Sequence, residues 1–277
     1  MKAVRFHEYG DPDVLRVEDV DDPVADAGQV RVRVAATTFN GVDGNIRAGL
    51  MQGPMPVTLP HVPGLDVAGT VDVLGEGVSD LAVGDRVVGF LPFVVDGASA
   101  EYVLAPAESL TAAPTSIELA DAAALPLVGL TAWQALFDHA DLRSGQRILI
   151  SGAGGAVGGY AVQLAKAAGA HVIATASPRS SGQVTAAGAD QVIDHTTAQV
   201  TTAVTEPVDV LLNLAPIEPA SSPRWPPWSG TAASWSAPPC GCRPRPTRRA
   251  AYAPSTCSSA ATPRSCRSSS RASTGAS

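Results

Sequence analysis

The first 220 residues contain no cysteine, and residues 221–277 contain no Leu, Ile, Val, Met or Phe and no Asp, Glu or Lys. The first absence excludes a disulfide framework and any thiolate metal site from the body of the chain. The second excludes a buried core in the tail as written, because its Ser, Ala, Pro and Arg cannot offset the entropy lost on ordering. A membrane-spanning run is missing as well. The longest uncharged stretch of the body, Ile148 to Ala165, is broken by five glycines and by Ser151 and Gln163. The first ten residues, MKAVRFHEYG, place charges where a secretory leader needs an apolar segment. A cytoplasmic protein is the expectation.

What is present divides sharply. The body carries 11 basic and 26 acidic residues, net −15, whereas the tail carries 8 Arg and no acid. So acidic a body argues against a nucleic-acid partner. The whole chain's 277-residue length and 45% hydrophobic content suit one large or two ordinary domains with real cores.

Residues 1–118 read as a compact β domain. Gln29–Val34 alternates valine with arginine, the period of a half-buried strand, and Val67, Gly69, Val71 and Val73 repeat it ahead of the turn Gly75-Glu76-Gly77. Val87–Phe93 is a further apolar run opened by Gly84-Asp85. Near residue 119 the period changes. Leu119–Asp138 predicts a mostly helical segment broken at Pro126 and Gly129. The apolar strand Arg147–Ile150 follows and runs into Ser151–Gly159, with a helix to Ala168 ending at Gly169 and a second strand at His171–Thr175. The expected inner face of that helix holds Val157, Ala161, Leu164, Ala165 and Ala168.

A glycine loop between a strand and a helix is a dinucleotide-binding arrangement. Bare glycines let the backbone approach a pyrophosphate, and the helix N-terminus offers unpaired N–H groups. The candidate cofactor residues are Ala153, Gly155, Ala156, Val157 and Gly158, with Ala153 standing where the fingerprint has its first glycine. The second strand ends in Ser177-Pro178-Arg179-Ser180, with no acid between Gly158 and Ala189. A hydroxyl and a guanidinium suit the 2′-phosphate of NADPH better than the ribose diol of NADH. The alternative for Arg179 is an ordinary solvated loop arginine.

Several stretches resemble the zinc-independent quinone oxidoreductase branch of the medium-chain dehydrogenase/reductase superfamily. They are Asn40–Asp43 with Ile46–Gly49, Pro63–Val71, Gly84–Val87, Gly97–Tyr102, Leu125–Trp133 and Ala153–Gly158. The resemblance covers about residues 1–215 and implies an α/β protein: a GroES-like β domain plus a Rossmann doubly wound parallel sheet, the latter incomplete as translated. The expected divisions are 1–118, 119–220 and an unstructured tail at 221–277. It further implies NADPH, reduction of a small quinone or enone by hydride transfer, and catalytic positions Asn40, Asp43 and Thr131. His195, after the strand signal Val192–Asp194, stands where relatives often place Tyr against the adenosine; a surface histidine is the competing account. Neither a nucleic acid nor a membrane is implied, and a homodimer stays open. No metal is expected. Zinc-dependent relatives carry Cys where this chain has Asn40, and His where it has Leu65. Where several relatives carry Tyr, two positions beyond Asp43, this chain has Asn45, so water is the candidate proton donor. Asn40 and Asp43 also read as a turn pair capping the next helix. An enoyl-thioester reductase is the alternative activity, because Leu125–Phe137 also resembles the enoyl reductase domains of polyketide synthases, and a non-catalytic cofactor-binding product is the alternative from another class.

The tail has a codon-level reading. If each true codon joins the third base of one tail codon to the first two of the next, Trp and Cys positions give Leu, Val or Met. Through Trp228–Ser236 the shifted frame permits Leu-Val-Arg-Asp-Gly-Gly-Val-Val-Val, a turn and a buried strand. A frameshift near residue 220 is the leading expectation. A genuine Ser/Pro/Arg-rich tail is the alternative.

Overall fold

The structure is a computed structural model that describes residues 1–215 and the strand Ser229–Ser234. Near the N-terminus β1 (Lys2–Arg5) and β2 (Arg16–Asp19) form an antiparallel pair. β3 (Gln29–Ala36) leads into the short helix α1 (Gly41–Arg47), and β4 (Asp66–Leu74), β5 (Arg86–Phe90), β6 (Tyr102–Pro106) and β7 (Leu110–Ala112) complete an antiparallel sheet in the order β6-β3-β4-β5-β7. The alternation read from the sequence sets its inner face. Val30, Val32, Val67, Val71 and Val87 are buried together with Leu91 and Val103, each contributing about 1.5–3 kcal/mol of transfer free energy.

The segment after residue 119 departs in one respect from its expected form. Asp121–Ala124 is a 3-10 turn, and α2 (Pro126–Trp133) runs on into one π-helical turn at Gln134–His139. Pro126 opens the helix, where its missing N–H is no loss. Gly129 lies inside α2, and its N–H reaches the Leu125 carbonyl at 2.9 Å. The expected break at Pro126 is thus present, as the boundary between the 3-10 turn and α2, whereas Gly129 does not break the helix. Gly only weakens a helix interior.

Beyond it the chain alternates strand and helix: β8 (Arg147–Ser151), α3 (Ala156–Ala167), β9 (His171–Ala176), α4 (Pro178–Ala186), β10 (Gln191–Asp194), α5 (Val200–Ala203), β11 (Val208–Asn213) and β12 (Ser229–Ser234). All pairs are parallel, in the order β10-β9-β8-β11-β12. Period-2 alternation buries both faces. Ile148, Ile150, Val172, Ala174, Val210 and Leu212 join the core shared with α2, α3 and α4, whereas Leu149, Ile173, Ile193 and Leu211 pack with Val204, beside α5. The inner face of α3 is centred on Gly158, Ala161, Val162 and Ala165, one step round from the expected set, with Val157 and Leu164 at its margin.

The expectation that residues 221–277 lack regular structure is overturned at Ser229–Ser234, where the backbone forms β12 beside β11. A parallel ladder is made by main-chain groups and asks nothing of the side chains. The edge of β11 is therefore paired. The other tail positions lie outside the described residues.

Candidate functional site

The glycine loop follows β8 at the point where strand order reverses, between β8 and β11, which is where open α/β sheets bind ligands. Three of its positions depend on having no side chain. Gly152 adopts φ +82° and lies against the backbone of Leu214 and Ala215. Gly154 faces Ser180 of α4. A methyl on Gly158 would lie 2.5 Å from the Ala153 Cα and 2.6 Å from the Gly152 oxygen, so this glycine brings α3 tight against the loop. Thr175 of β9 secures the loop from the side. Its hydroxyl accepts the Gly152 N–H at 2.9 Å, and its carbonyl accepts the Ala153 N–H at 3.1 Å.

Gly155 is the N-cap of α3 and supplies no side-chain cap, so Ala156, Val157 and Gly158 open the helix without a side-chain partner for their N–H groups. Exposed Gly155 and Ala156 leave that end accessible, whereas Ala153 is buried beneath it. A helix of 12 residues ending this way offers a pyrophosphate both donors and a positive dipole.

The other candidate cofactor residues gather at the same edge. Ser177 caps α4, its N–H donating to Ser180 Oγ at 3.3 Å, and the two hydroxyls also lie 3.3 Å apart. Arg179 is exposed and has no hydrogen-bond or ion-pair partner among the described residues. His195 is exposed too. Its N–H reaches the Ala176 carbonyl at 3.2 Å, which places it beside Ser177. Three other histidines have an acid partner in the fold: His7 with Glu18 at 2.8 Å, His61 with Asp96 at 3.5 Å and His171 with Asp190 at 3.6 Å. Those acids are distant in sequence or on other elements, so no local spacing announces them. His61 is also buried, and burial pushes its pKa down against the opposing pull of Asp96 and Asp43.

Asn40 and Asp43 form the capping pair of α1. The Asn40 Oδ1 accepts the Val42 N–H at 3.1 Å, and Asp43 Oδ2 accepts the Asn40 N–H at 2.9 Å. Asp43 Oδ1 takes the Gly64 N–H, also at 2.9 Å. Both carboxylate oxygens are thus engaged. Thr131 lies half-buried on α2 and donates to the Leu127 carbonyl at 2.7 Å.

Asp66, to which no role of its own was assigned from the sequence, stands between these two sites. One oxygen accepts the Thr38 hydroxyl and the other the Leu127 N–H at 2.7 Å. Burial pushes its carboxyl up, the Thr38 and Leu127 bonds hold it back, and Asp43 adds to the push. Tyr160 of α3, raised by burial and by Asp66, donates to the Ala124 carbonyl at 3.1 Å. The one available signal was an acid opening a mostly apolar strand.

Residues 26–115 match the alcohol dehydrogenase GroES-like domain. The chain is 38% identical over 205 residues to a chloroplastic quinone-oxidoreductase homolog of Spinacia oleracea, covering 72% of this chain and 62% of that protein. It therefore spans less than two thirds of that relative's length. Among solved structures it resembles the quinone oxidoreductase from Coxiella burnetii at TM-score 0.72 and 35% identity, over 78% of this chain and 68% of the other. The CurK enoyl reductase is similar at TM-score 0.70 and 31% identity, over 76% of this chain and 66% of the other.

Proposed function

The chain belongs to the quinone oxidoreductase branch of the medium-chain dehydrogenase/reductase superfamily, and from that premise we propose that it is an NADPH-dependent, zinc-free reductase of small quinones or conjugated enones. The observation that carries the reading is the uncapped N-terminus of α3 behind bare Gly154 and Gly155, at the switch point of the parallel sheet. That cradle fits a dinucleotide pyrophosphate in donors, dipole and clearance. Ser177 and the unpartnered Arg179 fit a 2′-phosphate at the adenosine end. When bound, the nicotinamide supplies the hydride. The protein's share is to orient the partners and keep water away. Asn40, at the cap of α1, and Thr131, on α2, are the positions assigned to the substrate and nicotinamide ends. A metal is not needed on this reading, and the positions that would carry ligands in zinc-dependent relatives hold Asn40, committed to its cap, and buried Leu65.

The likeness to the CurK enoyl reductase favours a second reading, an enoyl-thioester reductase, which passes hydride to a similarly electron-poor carbon. Oxidation of NADPH by the purified chain with a simple quinone, and separately with a crotonyl thioester, distinguishes them. Faster turnover of the quinone supports the first, and faster turnover of the thioester the second. Tight NADPH binding with neither reaction points to a cofactor-binding product without catalysis. No binding of NADPH at all sinks the proposal.

A further inference from the structure

We propose that Asp66 is a positioning residue for hydride transfer, fixing the spacing between the segment that carries Asn40 and the helix that carries Thr131. This rests on the oxidoreductase reading above. Asp66 opens β4 and is 2% exposed. Its Oδ2 accepts the hydroxyl of Thr38, and its main-chain carbonyl accepts the hydroxyl of Thr37 at 2.7 Å. Both threonines lie just ahead of Asn40, in the link from β3 to α1. Its Oδ1 takes the Leu127 N–H at 2.7 Å, in the first turn of α2. The Leu127 carbonyl in turn accepts the Thr131 hydroxyl at 2.7 Å. An unbroken path, Thr38–Asp66–Leu127–Thr131, therefore joins the β domain to the helix on the nucleotide side.

A purely adhesive junction would not use a carboxylate. Burying one is costly, and an apolar residue of similar size would hold two packed surfaces together without that penalty. What the carboxylate adds is direction. Two hydrogen bonds, one to each oxygen of one rigid planar group, define a distance and an angle between the segments that donate them. Hydride transfer is sensitive to that kind of definition, because an error of about 1 Å in the reacting geometry costs about 100-fold in rate.

Four variants of the full chain test this. Asp66→Asn keeps both contacts, since the amide oxygen still accepts from Leu127 and the amide nitrogen donates to Thr38. Asp66→Ala loses both. Thr38→Val removes one contact without emptying the junction, and Thr38→Ser restores it. We expect Asp66→Ala and Thr38→Val to lower kcat by about tenfold or more while the KM for NADPH stays within about twofold, with Asp66→Asn and Thr38→Ser near the parent. A Thr38→Val protein that melts earlier but keeps its kcat would overturn the proposal, since a merely structural role predicts that pattern. A readout independent of turnover covers a parent that reduces no quinone or enone, the result that defeats the oxidoreductase reading instead. Amide hydrogen exchange should quicken in the first turn of α2 in Thr38→Val, return in Thr38→Ser, and stay unchanged in α3. Unchanged exchange at Leu127 would overturn the proposal whatever the activity.

Discussion

The carboxylate of Asp43 accepts the N–H of Gly64 at 2.9 Å across 21 residues of chain, while its second oxygen closes the capping box of α1 with Asn40. One buried side chain thus ties the start of a helix to the turn that leads into β4. Gly64 is held at φ +109°. Replacing Asp43 with Ala leaves that buried N–H without an acceptor and removes the cap. The loss should be about 2–4 kcal/mol, combining a cap and an unsatisfied buried donor. Urea unfolding of parent and variant measures it. Activity corrected for the folded fraction then separates the roles: a cap alone predicts no further loss.

The close approach of α3 to the loop predicts a contrast between neighbouring glycines. Gly158→Ala sets a methyl against the backbone of Ala153 and Gly152, where nothing can yield cheaply. Overpacking of that kind costs about 1–3 kcal/mol, and it displaces the donors of the helix N-terminus. Gly159→Ala meets nothing within 4 Å and should be neutral or slightly stabilising through helix propensity. Thermal melts with and without NADPH test the pair. Equal behaviour of the two variants would contradict the packing argument.

The sequence made these contacts legible to different depths. The alternation Val30-Arg31-Val32-Arg33-Val34 and the aliphatic run Arg147–Ile150 identified β3 and β8, because burial of one or both faces of a sheet leaves a period that can be counted. The glycine loop was legible for the same reason, being a local pattern between two local patterns. Asp66, Thr38 and Thr175 were not. Their partners lie 61, 28 and 23 residues away, so their roles exist only once separate elements have come together in the fold. Gly129 shows the converse. Its local preference suggested a break, and the packing of α2 against α3 overrode it.

Arg179 tests cofactor preference. It is exposed and unpartnered among the described residues, in the first turn of α4, three residues beyond β9, whose end is where an NAD site would place an acid. NADPH should bind more tightly than NADH, and Arg179→Ala should remove about 1.5–3 kcal/mol of that difference, as expected for a hydrogen bond to a charged group. Titration of both cofactors against both proteins checks it. Equal affinities in the parent would rule out a 2′-phosphate site here.

His61 predicts a pH dependence. Its pKa in the fold is lowered from 6.5, chiefly by burial against the opposing pull of Asp96 and Asp43. The unfolded chain then binds the proton better than the folded one. Its contribution to stability is complete above pH 6.5 and is lost as pH falls from there through the lowered value. Asp66 works the other way: its raised pKa makes the folded state bind the proton better, so its contribution weakens as pH rises above 3.8. Between pH 7 and 5.5 the parent should therefore lose more melting temperature than His61→Phe, which keeps a ring beside Phe6 but cannot titrate. Parallel curves for the two proteins would show that His61 does not govern this range.

The last prediction concerns β12. It pairs with β11 through main-chain groups at Ser229–Ser234, yet these residues, Ser-Gly-Thr-Ala-Ala-Ser, include nothing aliphatic larger than alanine. A strand in a doubly wound parallel sheet is normally covered on both faces and carries Val, Ile or Leu to bury there. The codons of Trp228–Ser236, read one frame over, permit Asp-Gly-Gly-Val-Val-Val, a turn followed by such a strand. We therefore expect DNA sequencing across codons 215–245 to find an insertion or deletion relative to close relatives. A confirmed frame without one would defeat the frameshift. Restoring the frame should also raise the melting temperature and reduce binding of a hydrophobic dye, because three valines at about 1.5–3 kcal/mol each would replace a strand that contributes little beyond its backbone. A 277-residue chain that already melts cooperatively at the restored protein's temperature, with equal turnover, would show that the tail as written is sufficient for the fold.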